Sequence, residues 1–415
     1  MLFGLRYDYR KSLKKYQQKP NFKLEKINKI TQTNNHLKKL FLAQMQISKR
    51  GIYKGQFELF KNAARGFEQL FADMEKATKF IHIEYYILKP GEIYEHFKTL
   101  LMKKVDEGVK VRMLIDDFGH WAMPWYEVRD LRKNGVEIRI LGKVHFPFIG
   151  SKNGYRNHRK LVIIDGKIVH TGGANISDEY VSLNKKYGLW IDYQVKITGP
   201  MVRSYSLLFL EDWNYVGPKL LNMEKYLLES KQGNSMGILI EDTPEVKEEL
   251  MQDSIVKWIL NAKSSIKITT PYFVPTPAIF DALKIAALSG VEVKIFVPGK
   301  ADNKKIIYIA TKYWCGQLAI YGVKIYMTKN MIIHSKIGIF DQKYAYLGTF
   351  NVDFRSMYSQ FELATLVRGQ IVKDIEKLFI YYESLSREVK LSELQTRLVS
   401  EKMWRGFLMF FAPIM

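Results

Sequence analysis

The sequence reads HRKLVIID at residues 158–165 and HSKIGIFD at 334–341. Each stretch is a His, a Lys two residues on and an Asp five after that. Asn175 in GGAN and Asn351 in GTFN then follow, each seventeen residues after its His. In an extended strand, side chains two apart share a face, so His158 projects with Lys160 and His334 with Lys336. An imidazole beside an ammonium makes a site for an anion: Lys supplies fixed charge while the imidazole attacks or transfers protons. Asp165 and Asp341 have the opposite parity and stand at Asp-Gly and Asp-Gln turns after apolar runs. Parity assigns them to the turn or a supporting contact.

Gly172, Gly173 and Gly348 predict a close approach of backbone N–H groups to a phosphate, with the two Asn amides donating to its oxygens. Asp192 (LWIDYQV) and Glu362 (QFELATLV) lie within apolar strands. A buried carboxylate needs a partner, and orienting an imidazole through Nδ1–H is a use that fits.

Outward from the motifs, the chain runs twice through one programme. Helix-like FEQLFADMEKATK (67–79), strand FIHIEYYIL (80–88), helix EIYEHFKTLLMKKVDEG (92–108) and strand VKVRMLIDD (109–117) make the first pass. SIVKWILNAKSS (254–265), IKITTPYFV (266–274), AIFDALKIAALSG (278–290) and VEVKIFVPG (291–299) make the second, and RDLRKNGVEIRIL (129–141) matches CGQLAIYGVKIYM (315–327). Alternating β-α-β units predict an α/β fold with a parallel or mixed sheet flanked by helices. The chain reads as an internal duplication of roughly 180 residues: a basic leader over 1–54, one domain over 55–220 and a second over 236–415. The junction falls in the polar stretch 216–240.

The 415 residues carry 64 Lys+Arg against 42 Asp+Glu, a net charge of +22 that points to nucleic acid or an anionic membrane surface. The stretch 6–29 is dense in Lys and Arg, as either a solvated tail or a leaflet-binding segment. A single cysteine, Cys315, excludes an intrachain disulfide framework and a thiolate metal site of its own. No apolar run reaches the ~18–20 residues of a membrane-spanning helix, and MLFGL is too short for a signal-peptide core. The apolar stretch 403–415 suits a buried chain end or shallow insertion at a lipid interface. Trp121, Met123, Trp125 and HFPFIG (145–150) suit an apolar wall or a loop packed on the core. Single histidines on strands are usually core or surface residues, which covers His82, His96, His120, His145 and His170. Asp116-Asp117 reads as a strand end rather than a metal pair.

The doubled His-x-Lys-x4-Asp pattern resembles the HKD motifs of the phospholipase D superfamily, over about residues 55–415. IHIEYYIL, YRNHRKLVIIDGKIVHTGGANISDEY and GTFNVDFRS…QFEL are most similar to bacterial cardiolipin synthases. The resemblance implies two tandem phospholipase D-like domains whose motifs meet at a pseudo-twofold axis to form one active site. It implies catalysis by the two motifs (His158, Lys160, Asp165; His334, Lys336, Asp341), with His158 as nucleophile and His334 as acid and base. Lys160, Lys336, Asn175 and Asn351 would hold the nonbridging phosphate oxygens, and Asp192 and Glu362 would orient the imidazoles.

It further implies no metal or other cofactor, phosphatidylglycerol as donor and acceptor, and an anionic phospholipid surface as partner. Nucleic acid is not expected, because the apolar stretches suit acyl chains better than bases. A hydrolytic phospholipase D, a phosphatidylserine synthase, a nucleic-acid phosphodiesterase and a non-catalytic binding module are the alternatives. Bacterial members commonly begin with one or two membrane spans, and MLFGLRYDYRKS resembles the stretch just after them. The expected location is the cytoplasmic face of a bacterial cell membrane, held peripherally or by spans outside this chain.

Overall fold

The computed structural model describes residues 35–142, 154–217, 221–226, 233–244 and 248–394. After α1 (Asn35–Ser48), the first half runs β1 (Ile52–Phe60), α2 (Ala63–Glu75), β2 (Phe80–Tyr85), α3 (Glu92–Asp106), β3 (Lys110–Asp116), α4 (Trp125–Lys133) and β4 (Glu137–Leu141). It closes with the hairpin β5 (Leu161–Ile164) and β6 (Ile168–Gly172), then β7 (Gln194–Thr198) and α5 (Val202–Tyr215). The second half repeats the order as β8 (Ser235–Asp242), α6 (Leu250–Asn261), β9 (Ser265–Thr269), α7 (Pro277–Leu288), β10 (Glu292–Val297), α8 (Lys305–Ala319) and β11 (Lys324–Thr328). It ends with β12 (Ile337–Phe340), β13 (Tyr344–Gly348), β14 (Gln360–Gly369), α9 (Gln370–Leu385) and an added edge strand β15 (Ser386–Glu388).

Among the described residues these strands form one 16-stranded mixed sheet, in the order β15-β11-β10-β9-β12-β13-β14-β8-β1-β7-β6-β5-β2-β3-β4, with Arg156–Asn157 paired alongside β14. Antiparallel β1 and β8 sit at its centre. Moving outward from them, the same strands follow in the same sequence on either side, which is the pseudo-twofold symmetry of the duplication. The outer runs β2–β3–β4 and β9–β10–β11 are parallel, as helical crossovers require.

Side-chain alternation gives the sheet two apolar faces. Ile81 and Ile83 meet the helices of the first half, Ile266 and Ile268 those of the second, while Leu239, Val195 and Phe296 face the opposite layer of α5 and α9. Local signals fix the element ends. Asn62 caps α2 by accepting from the Arg65 N–H at 2.9 Å, and Thr276 precedes Pro277 at the start of α7.

Reading 1–54 as one basic leader does not hold for residues 35–54. Leu37, Leu40 and Phe41 of α1 are buried in the second half's core, and the Trp258 indole N–H donates to Gln44 at 2.9 Å. The run LKKLFLAQM carries an apolar stripe between its lysines, and its period was masked by their charge. The stretches 6–29, 145–150 and 403–415 lie outside the described residues.

Candidate active site

Each hairpin that follows a motif is closed by a two-residue turn, with Lys167 N–H donating to Ile164 O and Lys343 N–H to Phe340 O. Asp165 (φ 50°) with Gly166 (φ 64°), and Asp341 (φ 53°) with Gln342 (φ 54°), hold the left-handed pairs that such turns need. The Asp165 carboxylate accepts from the backbone N–H groups of Thr78, Lys79 and Phe80 at 2.8–2.9 Å. Asp341 does the same for Lys263, Ser264 and Ser265. Burial raises the affinity of both carboxyls for a proton, but these donors outweigh it and hold both below the ordinary range. Each closing Asp thus pins its turn to the start of the neighbouring antiparallel strand, β2 or β9. With their oxygens engaged by these backbone donors, the two carboxylates have a supporting place rather than the reacting one implied by the motif.

The histidines arrive by a crossed arrangement. Arg156–Asn157 pairs in parallel with Gln360–Phe361, so that the next residues along, His158 and Glu362, are neighbours from opposite halves. Ile332–Ile333 pairs likewise with Trp190–Ile191, which brings His334 to Asp192. The His158 N–H donates to Phe361 O at 2.9 Å and the His334 N–H to Ile191 O at 2.7 Å. In the same register His158 Nδ1–H donates to Glu362 Oε1 at 2.9 Å, and His334 Nδ1–H to Asp192 Oδ2 at 2.8 Å. Each imidazole is therefore oriented by an acid from the other half, leaving Nε2 as the ring nitrogen available to a ligand.

Lys160 and Lys336 are fully buried beneath their histidines and donate to the His158 and His334 carbonyls respectively. Burial, with the two nearby ammonium groups, pushes both imidazoles well below their usual pKa, so both are neutral. Burial also lowers Lys160 to about 7 and Lys336 to about 8, against the pull of Glu362 and Asp192. It raises Asp192 and Glu362 to about 7.

Both histidines open on one cleft of about 320 Å³, which Asn175 and Asn351 also line. Asn175 Nδ2–H donates to Tyr180 Oη at 2.6 Å, and Asn351 Oδ1 is buried without a protein partner. The glycines do something other than expected. A Cβ on Gly173 would stand 2.3 Å from Asp192 Oδ1, and one on Gly172 2.5 Å from Tyr193 O. A Cβ on Gly348 would meet the Phe350 ring at 2.8 Å. The Gly173 and Gly348 N–H groups donate within the protein, to Tyr193 O and Lys336 O. These residues are small so that the acid-bearing strands can close in, rather than to admit a phosphate to the backbone.

The single histidines are structural where described. His170 pairs with Asp73 at 2.8 Å, His82 stacks on Phe209 and His96 lies against Phe71. Asp116 ends β3 and accepts from the Phe118, Gly119 and Asn157 N–H groups. Among the described residues no group of three or more His, Cys, Asp or Glu is placed to hold a metal, and no helix is long and apolar enough to cross a membrane.

Sequence reading missed the cleft's aromatic walls and its outer cations. Tyr86 packs edge-on to His158 at 5.1 Å, and Tyr180 and Trp190 lie 5.2 and 5.4 Å from His334. Tyr272, Lys304 and Arg355 also line the cleft. Aligning the halves offers a faint signal, since Tyr86 and Tyr272 both follow the first parallel strand of their half. Nothing in the spacing marks Lys304 or Arg355.

Comparison with known proteins agrees with this geometry. A family profile described as the cardiolipin synthase phospholipase D-like domain matches residues 70–213 and 255–382. A cardiolipin synthase of Geobacillus kaustophilus is 37% identical over 83% of this chain and 72% of its own length. One from another Geobacillus strain is 41% identical over 73% and 61%, and one from Staphylococcus aureus is 33% identical over 86% and 73%. The chain thus spans between about three fifths and three quarters of the relatives it matches. A phosphatidylserine synthase of Haemophilus influenzae shares the fold, with a TM-score of 0.69 at 16% identity over 91% of this chain and 98% of that one. The matched segments contain both crossed His–acid pairs, and the chain belongs to the cardiolipin synthase family of phospholipase D-like enzymes.

Proposed function

We propose that this chain transfers a phosphatidyl group from one phosphatidylglycerol to the hydroxyl of a second, giving cardiolipin and glycerol. His158 Nε2 attacks phosphorus, and the bond from phosphorus to the glycerol oxygen breaks as His334 protonates that oxygen. The phosphatidyl group is then held on His158. His334 next takes the proton of the incoming hydroxyl, whose oxygen attacks phosphorus and releases His158. This is covalent catalysis joined to acid–base catalysis.

Two neutral imidazoles suit the start of this cycle. One is a free nucleophile, and the other takes up its proton when the anionic phosphodiester enters. Lys160, Lys336, Asn175 and Asn351 hold the nonbridging oxygens and offset charge in the five-coordinate transition state. Bond energies of donor and product are alike, so no activated nucleotide is needed. The work is done at an anionic membrane surface, on its cytoplasmic face.

The crossed pairing of each His with the other half's acid, at one cleft, carries this reading. Incubation with phosphatidylglycerol labelled in its headgroup and acyl chains is expected to yield cardiolipin and glycerol in equal amounts. Phosphatidic acid as the sole lipid product would overturn it.

A further inference from the structure

The cleft is small for two lipids. At about 320 Å³ it lies at the low end of sites that enclose one drug-sized ligand. Diacyl chains must therefore stay outside, and whatever surrounds the mouth meets them.

Three segments form that rim. Between β3 and α4, Ala122 enters the cleft wall while Trp121, and Trp125 at the start of α4, are left 55% and 68% exposed. The segment 182–189 runs into the wall at Tyr187 and Trp190 and leaves Leu183 exposed and Leu189 61% exposed. Between β10 and α8, Asn303 and Lys304 enter the wall, and Ile306 in the first turn of α8 is 54% exposed. The helices α4 and α8 are pseudo-equivalent, each following the middle strand of its parallel run, so the duplication sets apolar side chains on both sides of the mouth. Cations stand among them. The Arg129 guanidinium lies 4.7 Å over the Trp125 ring, Lys185 and Lys186 are exposed between the two leucines, and Lys305 is exposed beside Ile306.

Exposed indoles and aliphatic side chains around a polar cleft mark an interaction surface. Tryptophan and basic residues together match the boundary of an anionic bilayer, where rings sit at headgroup level and ammonium groups meet lipid phosphates. We infer that this rim is a membrane-docking surface on which Trp121, Trp125, Leu183, Leu189 and Ile306 enter the headgroup–acyl boundary and set the cleft's mouth against the leaflet. The choice of a lipid occupant rests on the substrate proposed above and on the rim's positive charge.

The test compares the full chain with the W121S/W125S and K185Q/K186Q variants, by co-sedimentation with vesicles of phosphatidylcholine alone or mixed with phosphatidylglycerol. W121S/W125S is expected to weaken binding to the mixed vesicles at least about tenfold, with its melting temperature and its transfer activity on dispersed short-chain phosphatidylglycerol unchanged. K185Q/K186Q is expected to weaken binding to the mixed vesicles only, by a margin that disappears in high salt. Native-like vesicle binding by W121S/W125S would overturn the inference. So would a variant that loses self-association in light scattering while keeping vesicle binding, which would assign the patch to a chain–chain contact. Vesicle binding is read without turnover, so a failure to form cardiolipin would leave this result standing on its own.

Discussion

His158 and His334 occupy equivalent points of a duplicated scaffold, yet their surroundings differ. Glu362 reaches His158 with a longer arm and is steadied by the Thr349 hydroxyl, which donates to Oε2 at 2.5 Å. Asp192 reaches His334 with a shorter one, steadied by the Tyr193 N–H at 2.8 Å and packed directly on Gly173. Among the described residues Tyr86 alone stands edge-on to His158, whereas Tyr180, Trp190 and Tyr272 surround His334. Both lysines donate to the carbonyl of their own His, but Lys336 also approaches the His334 ring, at 2.7 Å from Nδ1, while Lys160 lies 5.7 Å from the Tyr86 ring instead. The backbone pairing repeats and the side-chain environment does not. Symmetry thus supplies two imidazoles, and asymmetry is what can give them different work.

Removing either ring breaks the comparison most severely. His158→Ala and His334→Ala are each expected to lower kcat at least about 10⁴-fold in a phosphatidylglycerol transfer assay. Taking away an orienting acid comes next. Glu362→Gln and Asp192→Asn are expected to lose about 10²–10⁴-fold in kcat, because a misplaced tautomer leaves Nε2 wrongly protonated. Crossed pairing makes a further demand, since Glu362→Gln should slow mainly the formation of the covalent intermediate, whereas Asp192→Asn should slow both its formation and its transfer to the incoming hydroxyl. The pairing would be contradicted if the two variants exchanged these effects in single-turnover kinetics.

Gly173→Ala drives a methyl into Asp192 and is expected to lower kcat about 10–100-fold. Gly348→Ala, whose methyl meets the Phe350 ring instead, should act mainly on melting temperature. A milder effect is set by pH. Lys160 and Lys336 are charged below about 7 and about 8 and lose their protons as pH rises. The kcat/KM of the free enzyme is therefore expected to fall as pH rises through that window, and a profile flat to pH 9 would count against phosphate binding by these lysines.

The smallest effect on turnover should come from the closing aspartates. Asp165→Ala leaves three backbone donors without an acceptor and is expected to cost about 2–4 kcal/mol of stability, with kcat of the folded fraction kept. Asp341→Ala, at the more exposed turn, should cost less. Both carboxyls have folded-state values below the unfolded ones, so their stabilisation is complete above the unfolded value and is lost as pH falls through the folded one.

Much of this was legible in the sequence because strand parity and repetition are local. His158 with Lys160, and His334 with Lys336, follow from a period of two, and the presence of turns at Asp165 and Asp341 follows from the end of each apolar run. The α/β order follows from alternating apolar runs and amphipathic helices. What the sequence could not show is which acid serves which ring. Glu362 is 204 residues from His158, and Asp192 is 142 from His334. Their meeting depends on two short cross-half strands with no periodic signal of their own. The glycines misled for a related reason: a small residue beside a motif signals close approach, but only the fold shows that the neighbour is Asp192 rather than a phosphate. Residues 35–48 misled because lysines hid an apolar stripe.

The most direct test of two imidazoles with divided work is to trap the covalent intermediate. Mixtures of native, His158→Ala and His334→Ala protein with phosphorus-labelled phosphatidylglycerol would be quenched in denaturant at mildly alkaline pH, digested at that pH and read by mass spectrometry. The account predicts a phosphatidyl group on the His158 peptide, accumulating in His334→Ala and absent from His158→Ala. Label on the His334 peptide, or the same amount of label in both variants, would contradict it.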